Sequence, residues 1–263
     1  MPELPDVEVF RRYVGSTAMQ RRIEHAHVPD SRLLTASAGT VRGHLKGRRL
    51  SDSRRHGKLL FLGLDSGRWL LLHFGMTGRP VVWERDDREP DFVLLRLDLD
   101  DGRHLAYCAP RKLGEIGIAD DPDEVVDGRD LGPDALALDL DGFREALSGR
   151  RGMVKPTLMN QEVIAGLGNV WTDEILFHAR LHPRVPIPDL DADAERRLFR
   201  AMRRVLEESI GFGARPERAP GHYLLGYREE GADCPGRCGG TVERIAVSGR
   251  AGYCCPVCQT PPD

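Results

Sequence analysis

Five of the six cysteines lie within the last thirty residues, where four of them form two closely spaced pairs. The first pair is Cys234 and Cys238, and the second is Cys255 and Cys258. Two such pairs can place four thiolates around one tetrahedral zinc ion, which leaves no open coordination position for a reaction. The spacing therefore predicts one structural Zn²⁺ in a β-hairpin, with a cluster of reduced surface thiols as the alternative. Strand alternation makes the adjacent Cys254 the spare thiol.

The N-terminus carries a second group of residues that can do chemistry. Pro2 follows Met1, and removal of Met1 would leave Pro2 as a free secondary amine. Such an amine can attack an electrophilic sugar carbon and form an iminium, and the neighbouring Glu3 carboxylate can transfer protons. If Met1 is retained, Pro2 is an amide without a nucleophilic lone pair.

A third candidate feature is the segment 151–174, whose pattern indicates a helix, a glycine-bearing turn and a second helix. Asn169 lies where the second helix would begin. Exposed amides at a helix N-terminus, with a carboxamide alongside, suit a phosphate. The alternative is an ordinary helical hairpin with an asparagine cap.

The remaining pattern predicts the elements that position these groups. Val7, Phe10 and Val14 have helical spacing, whereas residues 40–120 show short apolar runs between turn residues, which is typical of a β-sandwich. An acidic stretch at 120–130 precedes a boundary at 131–134. Beyond it, helical periodicity covers residues 143–147, 155–165, 170–179 and 191–209, and a loop covers 211–226.

Composition limits the class of protein. The 263 residues hold 38 Lys and Arg against 41 Asp and Glu, a net charge of −3, which by itself argues against electrostatically driven nucleic-acid binding. The basic residues of the segment 42–58 nevertheless have Asp52 as their only acidic neighbour there, and acids are concentrated at 84–141. We found no apolar run of about 18 residues and no secretory signal, so we expect no membrane association and a cytoplasmic location.

The separated motifs together resemble the formamidopyrimidine-DNA glycosylase/endonuclease VIII family over nearly the whole chain. The opening of the chain favours the formamidopyrimidine branch as a divergent member, because the endonuclease VIII branch usually has Gly where Leu4 stands. In chain order, the matching segments are 2–8, 57–58, 73–78, 110–114, 155–174 and Arg250 with the four-cysteine tail.

The resemblance implies an α+β fold with three parts. These are an N-terminal catalytic β-sandwich with flanking helices (1–130), a helix–two-turn–helix DNA-binding domain (131–226) and a zinc-finger β-hairpin (227–263). It further implies a monomer that binds double-stranded DNA containing a damaged base or an abasic site. Its expected location is the bacterial cytoplasm, in association with the nucleoid.

The implied activity is that of a bifunctional DNA glycosylase and abasic-site lyase of base excision repair. Pro2 would attack the sugar C1′, displace an oxidised base and form a Schiff base, and Glu3 would be the general acid that opens the sugar ring. Lys58 would assist at the lesion's phosphate and in β-elimination, unless it is part of a solvated basic face. Arg250, on the zinc hairpin, would grip phosphate and serve δ-elimination.

Further residues are assigned to DNA contacts by the same resemblance. Asn169, Lys155 and Arg151 would hold the kinked backbone, and Glu174 would support the N-terminus. The first zinc knuckle has three residues between its cysteines, where the family commonly has two.

The resemblance also places residues at the lesion. Met76 would fill the gap left by the flipped base, with a core position as its alternative, and Arg111 would face the orphaned partner base. Leu113 stands where the family usually has a wedge Phe, and Ala109 replaces a usual Asp. The segment 211–226 looks shorter than the family's lesion-covering loop, so oxidised pyrimidines, formamidopyrimidines or abasic sites are as compatible with the sequence as 8-oxoguanine.

Two other functional hypotheses follow from the sequence. A catalytically reduced paralogue would bind damaged or abasic DNA without excising bases, and it would form no covalent adduct. A zinc-ribbon RNA-binding protein would account for the cysteines but leaves the N-terminal motif unexplained.

Overall fold

The computed structural model describes residues 1–262 and divides them into two compact units. Residues 1–2 and 6–130 form the first unit, and residues 3–5 with the chain from 131 onward form the second. The N-terminal segment therefore contributes to both units.

The first unit contains two four-stranded antiparallel sheets with three helices. Its elements are α1 (Leu4–Thr17), β1 (Ile23–His27), α2 (Ala38–Leu45), β2 (Leu50–His56), β3 (Leu59–Leu64), β4 (Trp69–His73), β5 (Arg79–Glu84), β6 (Val93–Leu99), β7 (Arg103–Cys108), β8 (Glu115–Ala119) and α3 (Pro122–Asp127). One sheet has the strand order β1-β6-β7-β5, and the other has the order β2-β3-β4-β8.

A leucine-rich core joins the two sheets. Leu62 and Leu70 come from one sheet and Leu95 and Leu105 from the other, and all four belong to one buried cluster that also includes residues of α1 and α2. Fully burying a leucine contributes about 1.5–3 kcal/mol, so this cluster is the main stabilising feature of the unit. The predicted N-terminal β-sandwich with flanking helices is confirmed.

Several elements of the first unit are absent from the sequence prediction for a physical reason. Strand β2 is mostly polar, so it lacks the alternation that marks a half-buried strand. Helix α3 lies inside the acidic stretch, where Asp121 caps it by accepting from the backbone N–H of Asp123 and Pro122 occupies the first turn. These local capping contacts outweigh the like-charge repulsion in the stretch.

The second unit is helical and ends in a two-stranded hairpin. Its elements are α4 (Leu140–Leu147), α5 (Val154–Met159), α6 (Asn169–Ala179), α7 (Ala192–Gly211), β9 (Glu243–Val247) and β10 (Arg250–Cys254), with 3₁₀ turns at Ile187–Asp189, Pro216–Arg218 and Leu224–Tyr227. Ser248 and Gly249 join the strands with φ of 47° and 75°. Two positive φ angles are the signature of a type I′ hairpin turn, so the predicted hairpin is confirmed.

The predicted helix at 155–165 is wrong at its C-terminal end. Helix α5 ends at Met159 because the chain then turns, and the Gln161 side chain donates to the carbonyls of Met159 and Leu167, each at 2.8 Å. Gly166, with φ of 111°, completes this turn before α6. Across residues 1–262, none of the helices is both long and apolar enough to span a membrane.

Candidate active site

The Glu3 carboxylate is held at the N-terminus of α6. Its oxygens accept hydrogen bonds from the backbone N–H groups of Gly168 (2.9 Å), Val170 (2.9 Å) and Trp171 (3.2 Å). The side chain is only 2% exposed. The first amides of a helix have no intrahelical partner and carry partial positive charge, so they stabilise this buried carboxylate.

Gly168 is required at this position by space. A Cβ on Gly168 would lie 2.3 Å from Glu3 Cδ. The φ of Gly168 is −133°, an extended conformation that any residue adopts, so the requirement is purely steric. The glycine that the sequence places before Asn169 therefore makes room for the Glu3 carboxylate.

Pro2 and Met1 precede this anchored glutamate. Met1 is 54% exposed, whereas Pro2 is half-buried. The residue after Glu3, Leu4, donates its backbone N–H to the Gly166 carbonyl at 3.0 Å. The chain is thus fixed immediately after Pro2, and Met1 is exposed to solvent.

Lys58 lies at the entry to β3, after a turn at Gly57 with φ of 53°. It is half-buried. Burial lowers the pKa of His73; Glu115 opposes that shift, and the positive charge of Lys58 adds to it. Lys58 and His73 therefore share one electrostatic environment, and the imidazole of His73 is held neutral.

A buried ion pair supports the turn that carries Lys58. Arg55 Nε lies 3.3 Å from Glu8 Oε2, and their side chains are 8% and 9% exposed. Arg55 Nη1 also donates to the Gly57 carbonyl at 3.2 Å. Burial raises the pKa of Glu8, but hydrogen bonds from Arg11 and Arg12 outweigh it and hold that pKa at about 2.

Two loops of the first unit bring Met76, Arg111 and Leu113 together. Met76 is 39% exposed and Leu113 is 43% exposed, which is unusual for large apolar side chains and excludes a core position for Met76. The loops pack so closely that a Cβ on Gly75 would lie 2.1 Å from the Leu113 carbonyl oxygen. The Arg111 backbone N–H donates to Thr77 Oγ1 at 3.2 Å. This surface can insert apolar side chains between bases beside an exposed guanidinium.

Asn169 is the first residue of α6, but it does not cap the helix. Gly168 occupies the N-cap position, and the neighbouring amides are satisfied by Glu3. The Asn169 side-chain oxygen is buried and has no hydrogen-bond partner among residues 1–262. A buried polar atom without a partner is rare and marks a place for a ligand or water. Arg151 is exposed before α5.

Lys155, which the family resemblance assigns to the DNA backbone, forms a buried ion pair in the structure. Lys155 is 1% exposed, and its Nζ lies 2.7 Å from Asp173 Oδ1. It also donates to the Ala251 carbonyl at 3.4 Å. Burial lowers the pKa of Lys155, and the Asp173 carboxylate opposes that shift. On α5 the side chain points towards β10, so its ammonium contacts the hairpin.

Glu174 was predicted to support the N-terminus, but in the structure it contacts a different segment. Its two oxygens accept the backbone N–H groups of Leu224 (2.9 Å) and Leu225 (2.8 Å). His178 Nε2 lies 3.0 Å from Glu174 Oε1, and Arg204 donates to His178 Nδ1 at 2.9 Å. Because arginine only donates, Nδ1 of His178 is the acceptor in this hydrogen bond. Glu174 therefore orders the loop that follows α7.

The four predicted cysteine ligands converge near the end of the chain. The sulfur atoms of Cys234, Cys238, Cys255 and Cys258 all lie within 4.8 Å of one another. Cys234 Sγ is 3.7 Å from Cys258 Sγ, and Cys238 Sγ is 3.5 Å from Cys255 Sγ. Four sulfurs at about 2.3 Å from one tetrahedral zinc ion would be about 3.8 Å apart, so the cluster fits that ion.

The remaining tail cysteine is outside the cluster. Cys254 is fully buried on β10, and burial raises its pKa to about 12, so it is an unreactive thiol. In contrast, the backbone N–H of Gly240 is the main cause that lowers the pKa of Cys238 to about 7. A thiol of that kind supplies the thiolate that a metal needs.

Arg250 begins β10, directly after the hairpin turn, and is exposed. It lines a cavity of about 220 Å³ together with Lys155, Asn160 and Ser248. The cavity joins the C-terminal end of α5 to the tip of the hairpin within the second unit. An exposed guanidinium beside a polar cavity is suited to a phosphate group.

Sequence reasoning missed Asp173, Arg228 and Glu8, each of which forms a buried ion pair. Asp173 had a recognisable signal, because it stands with Glu174 in the middle of a helical segment, 170–177, whose other residues are mainly apolar. A charge at such a position must find a partner when it is buried. The identity of that partner depends on tertiary contacts between distant segments, which no local pattern reveals.

Comparison with known proteins gives consistent results over both units. Residues 1–116 match the formamidopyrimidine-DNA glycosylase N-terminal domain, and residues 131–218 match the formamidopyrimidine-DNA glycosylase H2TH domain. A formamidopyrimidine-DNA glycosylase of Chloroflexus aurantiacus is 35% identical over 275 residues, covering 98% of each chain. One from Nocardioides sp. is 36% identical over 287 residues, covering 100% of this chain and 95% of the relative.

Solved structures show the same similarity. The complex of Lactococcus lactis Fpg with DNA containing an abasic site aligns with a TM-score of 0.88 at 26% identity, covering 98% of this chain and 100% of that one. A complex of the same protein with DNA containing FAPY-dG aligns with a TM-score of 0.87, at the same identity and coverage. The resemblance read from the sequence is confirmed, and the chain belongs to the formamidopyrimidine-DNA glycosylase family.

Proposed function

We propose that this DNA glycosylase of base excision repair is bifunctional and also cleaves the DNA strand at the abasic site. Its substrate would be double-stranded DNA containing a damaged base or an abasic site, as in the complexes of the Lactococcus lactis protein. The observation that carries the proposal is the Glu3 carboxylate, buried and fixed by three backbone amides directly after Pro2.

The first steps would use the N-terminal pair. After removal of Met1, the Pro2 nitrogen attacks C1′ of a nucleotide flipped out of the stack, the bond to the base breaks, and the base leaves with the proton that the Pro2 nitrogen gives up. Glu3 gives a proton to the ring oxygen, the nitrogen lone pair forms a double bond to C1′, the C1′–O4′ bond breaks, and an iminium ion, the Schiff base of a secondary amine, remains. Since three amides stabilise the ionised carboxylate, Glu3 must take up that proton before it can deliver it.

Strand cleavage would follow from the Schiff base. Loss of a C2′ proton expels the 3′ phosphate in β-elimination, and a second loss of a proton expels the 5′ phosphate in δ-elimination. The family resemblance implies that Lys58 assists at the lesion's phosphate and in β-elimination, and that Arg250 serves δ-elimination. The half-buried position of Lys58 and the exposed guanidinium of Arg250 beside a cavity are compatible with these roles.

DNA would be held by both units. Met76 would fill the gap left by the flipped base, Leu113 would insert between bases, and Arg111 would face the orphaned base, because these exposed side chains share one pair of packed loops. Asn169, through the N–H groups of its side-chain amide, and Arg151 would contact the kinked backbone.

A zinc ion would complete the hairpin. When bound to Cys234, Cys238, Cys255 and Cys258, it would tie the two knuckles together and fix the hairpin that carries Arg250. Metal analysis of the purified protein should give one zinc per chain. We further propose that 1–130, 131–226 and 227–263 act as catalytic, DNA-binding and zinc-finger domains of a monomer associated with the bacterial nucleoid.

Borohydride trapping on a panel of lesion duplexes tests the proposal. Intact-mass analysis first establishes that Met1 is absent, and the matched control retains a residue before Pro2. We expect a covalent protein–DNA adduct only when Pro2 is free, and the panel identifies which lesion is preferred. Failure to trap an adduct on abasic DNA with Met1 absent would overturn the proposal, and tight binding without an adduct would indicate the catalytically reduced paralogue.

A further inference from the structure

A buried ion pair lies between the helices of the second unit and its hairpin. Lys155 on α5 and Asp173 on α6 are 1% and 0% exposed, and their charged atoms are 2.7 Å apart. Burying two charges costs several kcal/mol per ion, which a single contact does not repay unless further hydrogen bonds are satisfied. The other hydrogen-bond partners of Lys155 and Asp173 therefore indicate the structural role of the pair.

Both members of the pair bind the backbone of β10. Asp173 Oδ2 accepts the Tyr253 N–H at 3.2 Å, and Lys155 donates to the Ala251 carbonyl at 3.4 Å. In the antiparallel hairpin, alternate residues of β10 direct their backbone groups away from β9. The ion pair thus occupies the free edge of the strand.

Two other residues complete this arrangement. A Cβ on Gly252 would lie 2.5 Å from Lys155 Nζ, so glycine is what allows the ammonium to reach the strand. Arg228 donates to Asp173 Oδ2 at 2.8 Å, and its guanidinium lies 4.7 Å from the centre of the Tyr253 ring. The strand is held from its edge and from one face.

We propose that Lys155 and Asp173 form a clamp that positions Arg250 for the phosphate it contacts. Arg250 is the residue directly before Ala251, so a strand fixed at Ala251 and Tyr253 has a defined start. The inference rests on the proposed function, in which Arg250 serves δ-elimination. Helix α6 also binds Glu3 through its first amides, so one helix sets both the proposed proton donor and the strand of the arginine.

The pair acts as a positioning device, because its charged atoms face the hairpin backbone. Loosening the strand should therefore change what Arg250 does and leave the chemistry at Pro2 in place. Misplacement of a catalytic group by about 1 Å can cost up to about a hundredfold in rate, whereas steps that do not use the group are unaffected.

The first test compares elimination products on abasic DNA. In Asp173→Asn, we expect the δ-elimination rate to fall about tenfold or more, with borohydride trapping and β-elimination within about twofold of the unchanged protein. Zinc content should be unchanged. The matched control is Arg144→Met, which removes a partly exposed ion pair between α4 and α7. An equal fall in β- and δ-elimination would overturn the clamp.

The second test does not depend on the lyase reaction. Binding of duplex DNA containing a tetrahydrofuran abasic analogue is measured for Asp173→Asn, Arg250→Gln and the double variant. If the clamp acts through Arg250, the two losses are not additive, and the double variant binds as Arg250→Gln does. Additive losses would refute the clamp even if no adduct forms. A protein that forms no adduct but shows the non-additive binding would refute the lyase proposal and retain the clamp.

A third variant separates positioning from folding. In Lys155→Met/Asp173→Leu, apolar side chains replace the buried pair, a change that is often neutral or stabilising. We expect this protein to fold and to keep zinc, while the Tyr253 amide loses protection from hydrogen exchange and δ-elimination stays low. Full δ-elimination in the folded double variant would contradict the proposal.

Discussion

Three buried acids of this protein are stabilised in three different ways. Backbone amides at a helix N-terminus hold Glu3, guanidinium groups hold Glu8, and an ammonium, a guanidinium and a backbone N–H together hold Asp173. A buried carboxylate is costly unless its charge is compensated, so each of these partners is essential to the local structure. Position in the chain decides which of them can take part in the reaction, because Glu3 follows directly on the proposed nucleophile.

Replacing Glu3 by glutamine tests its role as proton donor. The amide nitrogen of the substituted side chain would face backbone N–H donors, so we expect a loss of about 1–3 kcal/mol in the free energy of unfolding. Base excision should fall by about a hundredfold or more, because general acid catalysis is lost. Single-turnover assays on lesion duplexes and on preformed abasic duplexes provide the measurement.

The preformed abasic duplex separates the two activities. There the base is already absent, so trapping should fall much less than excision does. Glu24→Gln is the matched control, since Glu24 is exposed on β1, and it should change neither activity. Equal losses on both substrates would show that Glu3 acts on the Schiff base itself.

The lowered pKa of Glu8 predicts a specific dependence of stability on pH. Its pKa falls from 4.5 to about 2 on folding, so the ionised form stabilises the folded state above pH 4.5, and this contribution is lost as pH falls towards 2. The shift corresponds to about 3 kcal/mol. Denaturant unfolding of the unchanged protein and of Glu8→Gln should differ by roughly that amount at pH 7 and converge near pH 2. A constant difference over that range would contradict the assignment.

At the scale of elements, the sequence predicted what local pattern controls. The apolar runs of β3 and β4, the hairpin turn at Ser248 and Gly249, and the start of α6 all follow from spacing and turn chemistry. The sequence did not predict the end of α5, because that end depends on hydrogen bonds of the Gln161 side chain. It did not predict strand β2 either, because this polar strand is stabilised by pairing with β3. In the same way, cysteine spacing located the metal cluster, whereas the partners of Lys155 and Glu174 required the fold.

Helix α6 is the element on which most of the candidate site depends, and Gly168→Ala tests this. The Cβ of the introduced alanine would collide with the Glu3 carboxyl group. We therefore expect the carboxylate to be displaced and the rate of base excision to fall about tenfold or more. Circular dichroism should show an unchanged fold. Gly211→Ala in the last turn of α7 is the matched control, because a Cβ there meets nothing within 4 Å and should stabilise the helix. Unimpaired excision by Gly168→Ala would show that the amide cradle is not needed.

On the scale of the whole molecule, the distribution of charge matters more than its sum. The net charge is −3, yet the exposed cations Arg42, Lys46, Arg48 and Arg54 belong to one segment with Asp52 as its only acid. Phosphates respond to the local potential, so a nearly neutral protein can still present a basic surface to DNA. Because acidic residues outnumber basic residues in the whole chain, binding to undamaged DNA should be weak at physiological salt, and affinity should be concentrated on damaged, kinked sites.

Two substitutions that change the net charge equally distinguish local from total charge. Lys58→Gln removes a cation that the family resemblance places at a phosphate, whereas Arg88→Gln removes one that is 88% exposed beside Asp91, within the acid-rich stretch. Losing one phosphate contact should lower the slope of log affinity against log salt by about 0.9, since that is the counterion release per phosphate neutralised. Binding of an abasic-analogue duplex is measured between about 50 and 200 mM salt, a range over which counterion release is readily observed. We expect the slope to fall by about 0.9 in Lys58→Gln and to stay unchanged in Arg88→Gln. Equal changes in both variants would mean that DNA senses only the total charge of this protein, and no change in either would remove Lys58 from the phosphate contacts.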